Sequence, residues 1–275
     1  MKQHHLIRQL GLIGLMSVNA CLYAQETYEG LVEPVRDVLM GPPVAGRVEQ
    51  LLAGEGDRVK AGDTLLRLHD AVERLEVKRR ELVLDDQAEL EAARHRRDLL
   101  KDDLESTRNL FETTASVSRD ELARKTVEAL LSEVEYGRLE QVERREEAEL
   151  AIAKERLAQY SIIAPFDGVL AELSVDEGES VQAGQPVLRF VDVSSAYLVL
   201  NLPAELVSSL QEGKKVTLNF DRTRELRKPA EVTFISPVID PASGLRKVKM
   251  RFKNDPPRVE PGRIGTWTTA GDADE

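Results

Sequence analysis

Residues 41–70 read GPPVAGRVEQLLAGEGDRVKAGDTLLRLHD, and residues 164–192 read APFDGVLAELSVDEGESVQAGQPVLRFVD. The second stretch repeats the first. Gly46 matches Gly168, Gly56 matches Gly178, Val59 matches Val181, Ala61-Gly62 matches Ala183-Gly184 and Arg67 matches Arg189, all at an offset of 122 with no gap. A gapless repeat of this kind marks one structural unit used twice. Within the first copy Val44, Gly46 and Val48 alternate with polar residues, which is strand period. Gly54-Glu55-Gly56-Asp57 and Gly62-Asp63 are turn chemistry, and Thr64 to Leu68 reads as a second short strand. Roughly 30 residues forming two or three strands cannot bury an apolar face alone. The two copies are therefore expected to pack on each other as one flattened β-sandwich.

The residues between the copies follow another rhythm. Residues 70–112 contain neither glycine nor proline, and Asp70 with Glu73 has capping-box spacing, so a helix is expected to start there. Leu75, Leu82, Leu90, Ala93, Leu100, Leu104, Thr107 and Phe111 make a narrow apolar seam, weakened by Arg79, Asp86 and Arg97. ETTASV at residues 112–117 breaks the pattern, and Ser118-Arg119-Asp120-Glu121 is a second capping box that opens a return helix. That helix is expected to use Leu122, Ala129, Leu130, Val134, Leu139, Val142, Ile152 and Leu157 as its seam, with a local loosening at Gly137. Each arm would be about 63 Å long at 1.5 Å per residue.

Beyond the second copy the pattern returns to strands. Ala196–Leu202 and Val216–Phe220 read as strands, with a short helix from Pro203-Ala204-Glu205 to about Gly213 between them. Ala230–Ile235 leads to the turn cluster at residues 236–241. Val248, Met250 and Phe252 then alternate with Lys247, Lys249, Arg251 and Lys253, giving one buried and one basic face. Pro261-Gly262 and Gly265-Thr266-Trp267 make the last turn and strand, and Tyr28–Met40 can add another.

Composition narrows the function. The chain has 275 residues, 41% hydrophobic, 32% charged and only 4% aromatic, with a net charge of −11. That suits small β modules plus exposed helix, and it removes the electrostatic reason to expect nucleic acid. The four histidines are His4, His5, His69 and His95, which assemble no nucleophile–base set. The four methionines, Met1, Met16, Met40 and Met250, are too dispersed for a copper cluster. No catalytic residue, cofactor or metal site is expected. Lys2 and Arg8, the apolar run LGLIGLMSV and the small residues Ala20 and Ala24 form the three-part pattern of a secretory signal over residues 1–24. Cleavage before Cys21 with lipidation of that residue, and plain cleavage after Ala24, are both open.

The doubled G-x-V…G-x-x-V-x-A-G pattern resembles the biotinyl/lipoyl carrier domain. In that family a lysine sits on the turn between the halves. Here residues 70–160 stand in its place, and no A-M-K-M or D-K-A sequence is present at the junction. A lipoyl-like domain split by a helical insert resembles the periplasmic adaptor proteins, also called membrane fusion proteins, of HlyD-like secretion and RND-type efflux machines. The stretch from Ile239 to Trp267 resembles the closing section of that family's β-barrel, with Arg263 where the family has methionine. The resemblance implies an elongated, multi-domain α+β chain. Its parts are a signal peptide (1–24), an N-terminal strand joining the barrel (25–40), a first lipoyl-like half (41–69), a long antiparallel coiled-coil hairpin (70–160, tip about 112–118), a second half (161–192) and a small β-barrel (193–275). It implies a structural subunit in the periplasm at the inner membrane, lipid-anchored there if Cys21 is modified. Its partners would be an RND-type inner-membrane transporter, an outer-membrane channel and other copies of itself in a ring. The family's hairpin tip carries an Arg…Leu…Ser pattern; Ser118 fits its serine, Phe111 stands at the leucine place, and Arg108 lies one residue late. Arg108, Phe111, Ser118 and Leu122 are thereby the expected channel-docking residues. An adaptor of type I protein secretion and a coiled-coil spacer without a transporter are the alternatives.

Overall fold

A computed structural model describes residues 26–114, 116–221 and 226–269. The expected leader and Cys21 lie outside them. In chain order the first elements are β1 (Thr27–Met40), β2 (Gly46–Leu51), β3 (Arg58–Val59), β4 (Thr64–Leu68), α1 (Ala71–Asp85), α2 (Ala88–Thr114) and α3 (Arg119–Ala158). There follow β5 (Ser161–Ile163), β6 (Gly168–Leu173), β7 (Ser180–Val181), β8 (Leu188–Pro203), α4 (Ala204–Val207), β9 (Lys215–Asn219), β10 (Arg227–Ile235), β11 (Leu245–Lys253) and β12 (Ile264–Thr268). Two compact units divide between Glu33 and Pro34 and between Ser194 and Ser195.

In the unit holding Pro34–Ser194 the repeated segments interlock by exchanging strands. β3 of the first copy pairs with β6 of the second, Val59 facing Gly168. The equivalent β7 of the second copy pairs with β2 of the first, Val181 facing Gly46. The backbone bonds repeat at the sequence offset. Gly56 N–H donates to Leu170 O at 2.8 Å, and Gly178 N–H donates to Val48 O at 2.9 Å. Gly62 N–H donates to Ala164 O and Gly184 N–H to Pro42 O. Side chains obey the same symmetry: Glu177 accepts from Leu51 N–H, and Glu55 accepts from Leu173 N–H. Each half thus satisfies the other's strand edge, which would otherwise be left open. Val48, Leu66 and Leu68 from one copy bury against Leu170, Leu188 and Phe190 from the other.

The intervening residues form paired antiparallel helices, but not the two uninterrupted rods expected. The first arm is broken at Asp86-Gln87 into α1 and α2, whereas α3 runs through Gly137 without interruption. The reason lies in the phase of the inward row. A heptad carried on from Val77 and Leu84 would fall on Glu91, yet the half-buried row of α2 begins at Leu90 and continues through Ala93, Arg97, Leu100, Leu104, Thr107 and Phe111. One residue is about 100° of helix rotation. The break absorbs it, with Gln87 O accepting from Glu91 N–H at 2.9 Å to start the second piece. Asp70 does not cap α1 through its side chain; Arg74 Nη2 lies 2.6 Å from its Oδ1 without hydrogen-bond alignment.

Several expected seam residues face outward instead. Leu75 is 70% exposed, Leu82 60%, Leu130 60%, Val134 62% and Ile152 53%. The row of α3 that packs inward is a strict alternation of three and four: Leu122, Lys125, Ala129, Ser132, Tyr136, Leu139, Glu143, Glu146, Leu150, Ala153 and Leu157. Polar members are tolerated because the facing arm supplies partners. Lys125 pairs with Asp103, Gln87 Nε2 donates to Glu143 at 2.8 Å, and the Arg97 guanidinium lies 4.0 Å from the Tyr136 ring centre. Nearer the sandwich Val77, Leu150 and Ala153 close a small dry cluster.

In the other unit the strands run β1-β12-β9-β10-β11-β8, and β1 also pairs with β8, closing a six-stranded barrel. Its core holds Trp267, Leu198, Leu200, Leu218, Val248, Met250 and Phe252. The Phe220 and Phe252 rings pack at 4.8 Å. α4 is one turn long, shorter than the helix expected to reach Gly213.

Candidate docking end of the helical pair

α2 ends and α3 begins at the same end of the antiparallel pair, and all four expected docking residues lie there. Arg108 is exposed on the penultimate turns of α2 and enters no ion pair among the described residues. Phe111 is half-buried and is the last member of the inward row of α2. Leu122 is half-buried and is the first of the row of α3. Ser118 is exposed, and its Oγ accepts from Glu121 N–H at 3.1 Å, so it caps α3. The four therefore divide by role: Phe111 and Leu122 serve the helix pairing, whereas Arg108 and Ser118 meet solvent.

The end of α2 is tied down by its own side chains. Thr113 Oγ1 donates to Asn109 O at 2.6 Å and Thr114 Oγ1 to Leu110 O at 2.8 Å. These bonds carry the helix to Thr114, past Glu112 where the sequence pattern breaks. Deeper in the pair the Asp103 carboxylate bonds Lys125 and holds its ammonium above the usual lysine pKa. Leu110 at 48% and Val127 at 54% exposure add aliphatic surface close to this end. Neither residue belongs to the seam expected from sequence, and both lie outside it. Further along, Leu99 and Leu131 line an open recess of about 890 Å³ with Ala92 and Ala93.

Among the described residues no three of His, Cys, Asp and Glu gather as a metal site. His69 lies 3.6 Å from Glu49 and has no nucleophile beside it in any described contact. No helix of the described residues is long and apolar enough to cross a membrane.

Residues 36–192 match the family model described as "RND MFP, barrel-sandwich hybrid domain". The multidrug resistance protein MdtA of Escherichia coli is 30% identical over 245 residues, which is 86% of this chain and 55% of MdtA. The cobalt-zinc-cadmium resistance protein CzcB of Cupriavidus metallidurans is 23% identical over 230 residues, 84% of this chain and 42% of CzcB. The chain thus spans about half the length of these curated relatives. The crystal structure of MacA from Actinobacillus actinomycetemcomitans superposes with a TM-score of 0.66 at 19% identity, covering 89% of this chain and 78% of that one. At that identity the likeness is one of fold.

Proposed function

Because the chain belongs to the RND membrane fusion protein family, we propose that it is the periplasmic adaptor subunit of a tripartite efflux system, a structural and non-catalytic part. It links an inner-membrane transporter of the RND type to an outer-membrane channel, and several copies assemble as a ring. The observation that carries this reading is the interlocked repeat. The sandwich closes through bonds between its two halves, and so leaves the intervening helices as a paired coiled-coil arm with Arg108 and Ser118 exposed at its end. Outward aliphatic residues along that arm, Leu99, Leu131 and Val134 among them, favour packing against neighbouring copies. Individually weak contacts become strong when many copies act together. MdtA is named for multidrug resistance and CzcB for resistance to cobalt, zinc and cadmium, so relatives of one fold serve different cargo classes.

The docking end is tested by pull-down of the channel from an envelope extract. Arg108→Glu combined with Ser118→Trp is expected to abolish channel recovery. Ser118→Asn keeps a side-chain acceptor for Glu121 N–H and Ser118→Ala removes it; comparison of the two, with circular dichroism, separates loss of the helix cap from loss of docking. Undiminished recovery with the double variant removes the docking assignment.

A further inference from the structure

The turn between β10 and β11 displays aliphatic side chains to solvent on a backbone that is held in place. Val238 is 68% exposed, Ile239 49% and Phe234, at the end of β10, 40%. Ser236 N–H donates to Lys247 O at 2.8 Å, Asp240 N–H donates to Leu245 O at 2.9 Å, and Arg246 Nε donates to Ser236 O at 2.8 Å. The Asp240 carboxylate accepts the N–H groups of Ala242 and Ser243, at 2.8 and 3.0 Å, and is thereby spent on its own turn. The ordering cost of presenting Val238 and Ile239 is met on folding, which favours binding through them.

Cations flank this tip. Along β11 Val248, Met250 and Phe252 point into the barrel, and Lys247, Lys249, Arg251 and Lys253 point out. Residues 234–253 hold five basic side chains and one acidic one, in a chain whose net charge is −11. Acids do face the row: Glu231 stands opposite Arg251, and Glu33 lies 3.9 Å from Lys249. Lys247, Arg251 and Lys253 enter no ion pair among the described residues. Tyr197, Phe234, Ser236, Lys247 and Lys249 line an open recess of about 580 Å³ beside the tip.

We propose that this end of the barrel binds the surface of an anionic phospholipid bilayer. Val238, Ile239 and Phe234 enter the headgroup–acyl boundary while Lys247 and Lys249 meet lipid phosphates. Apolar side chains bordered by cations and an amphipathic aromatic are the chemistry of interfacial binding. A projecting turn also suits a bilayer, which yields around it, better than a rigid protein surface, which would need a matching pocket.

The test uses the whole chain and its single cysteine. Cys21→Ser with Ile239→Cys is labelled with an environment-sensitive dye and mixed with vesicles containing roughly one-third phosphatidylglycerol in phosphatidylcholine. A blue shift with a several-fold gain in emission is expected. It is lost on pure phosphatidylcholine, in high salt and in the Lys247→Glu/Lys249→Glu background, and it is absent when the label sits at Glu260→Cys, in the β11–β12 connection at the other end of β11. No shift at residue 239, or an equal shift at residue 260 or on neutral vesicles, overturns the proposal. So does a silent vesicle assay in which Lys247→Glu/Lys249→Glu instead weakens co-purification with a transporter, because the row then reads an acidic protein surface.

Discussion

Gly46 and Gly168 are equivalent in the repeat but not in what surrounds them. A Cβ on Gly168 would meet Val191 O at 2.7 Å and the Phe190 ring at 2.8 Å, so backbone would have to move. A Cβ on Gly46 would meet the Leu68 side chain at 3.2 Å, where a methyl group can give way. Gly168→Ala is expected to destabilise the protein by about 1–3 kcal/mol, the usual range for overpacking. Gly46→Ala should cost clearly less in the same urea titration, and equal losses would contradict this account. Gly178 has open space around its Cβ position but a φ of +89°, so Gly178→Ala is expected to cost about 1–2 kcal/mol through backbone strain alone. The turn glycines and the offset were legible from residue identity. The closeness of the Phe190 ring to Gly168 was not, because it depends on which strand lies across.

At the level of the helix, the break at Asp86-Gln87 can be tested by its phase. One alanine inserted between these residues restores the heptad step from Leu84 to the row of α2. The variant is expected to gain a few residues of helix by circular dichroism and to melt higher. Unchanged helix content would assign the break to local Asp chemistry instead. In α1 the Glu76 carboxylate is bonded by Arg79 and Arg80, which lower its pKa from 4.5 to about 2. A lowered folded-state value adds stability above the unfolded pKa, and that stability is lost as pH falls through the folded one. The melting advantage of the native chain over Glu76→Gln should therefore be full above pH 4.5 and fade towards about 2. An advantage that persists at the acid end would refute the assignment. Periodicity located the arms and the start of α3 at Ser118. It read the row of α2 from Leu90 to Phe111, with Arg97 as an interruption, but misread the inner face of α3, where Lys125, Ser132 and Tyr136 occupy inward positions that hydrophobicity assigns to Leu130 and Val134.

For the whole molecule, the outward aliphatic residues of the arm bear on assembly. If neighbouring copies pack through them, Leu131→Glu with Val134→Glu lowers self-association in sedimentation velocity without shifting the melting temperature, since both residues are already more than 60% exposed. Undiminished association would move the contact between copies elsewhere. The family was legible before any coordinates because its sandwich is built from a repeat that the chain writes twice. The tip residues match the family pattern only in part, and of these only the Ser118 cap has a local signature.

Sequence alone determined that residues 41–70 and 164–192 form one sandwich and that the segment between them is helical. Equivalent residues at a constant offset make equivalent bonds, and strand and helix periods are local properties of the chain. Tertiary structure alone decided which face of α3 turns inward, where the first arm breaks and which aliphatic residues reach solvent. Each of these depends on partners in another element, such as Asp103 for Lys125 and Tyr136 for Arg97, and a pattern read along one strand of sequence carries no term for a partner across the seam.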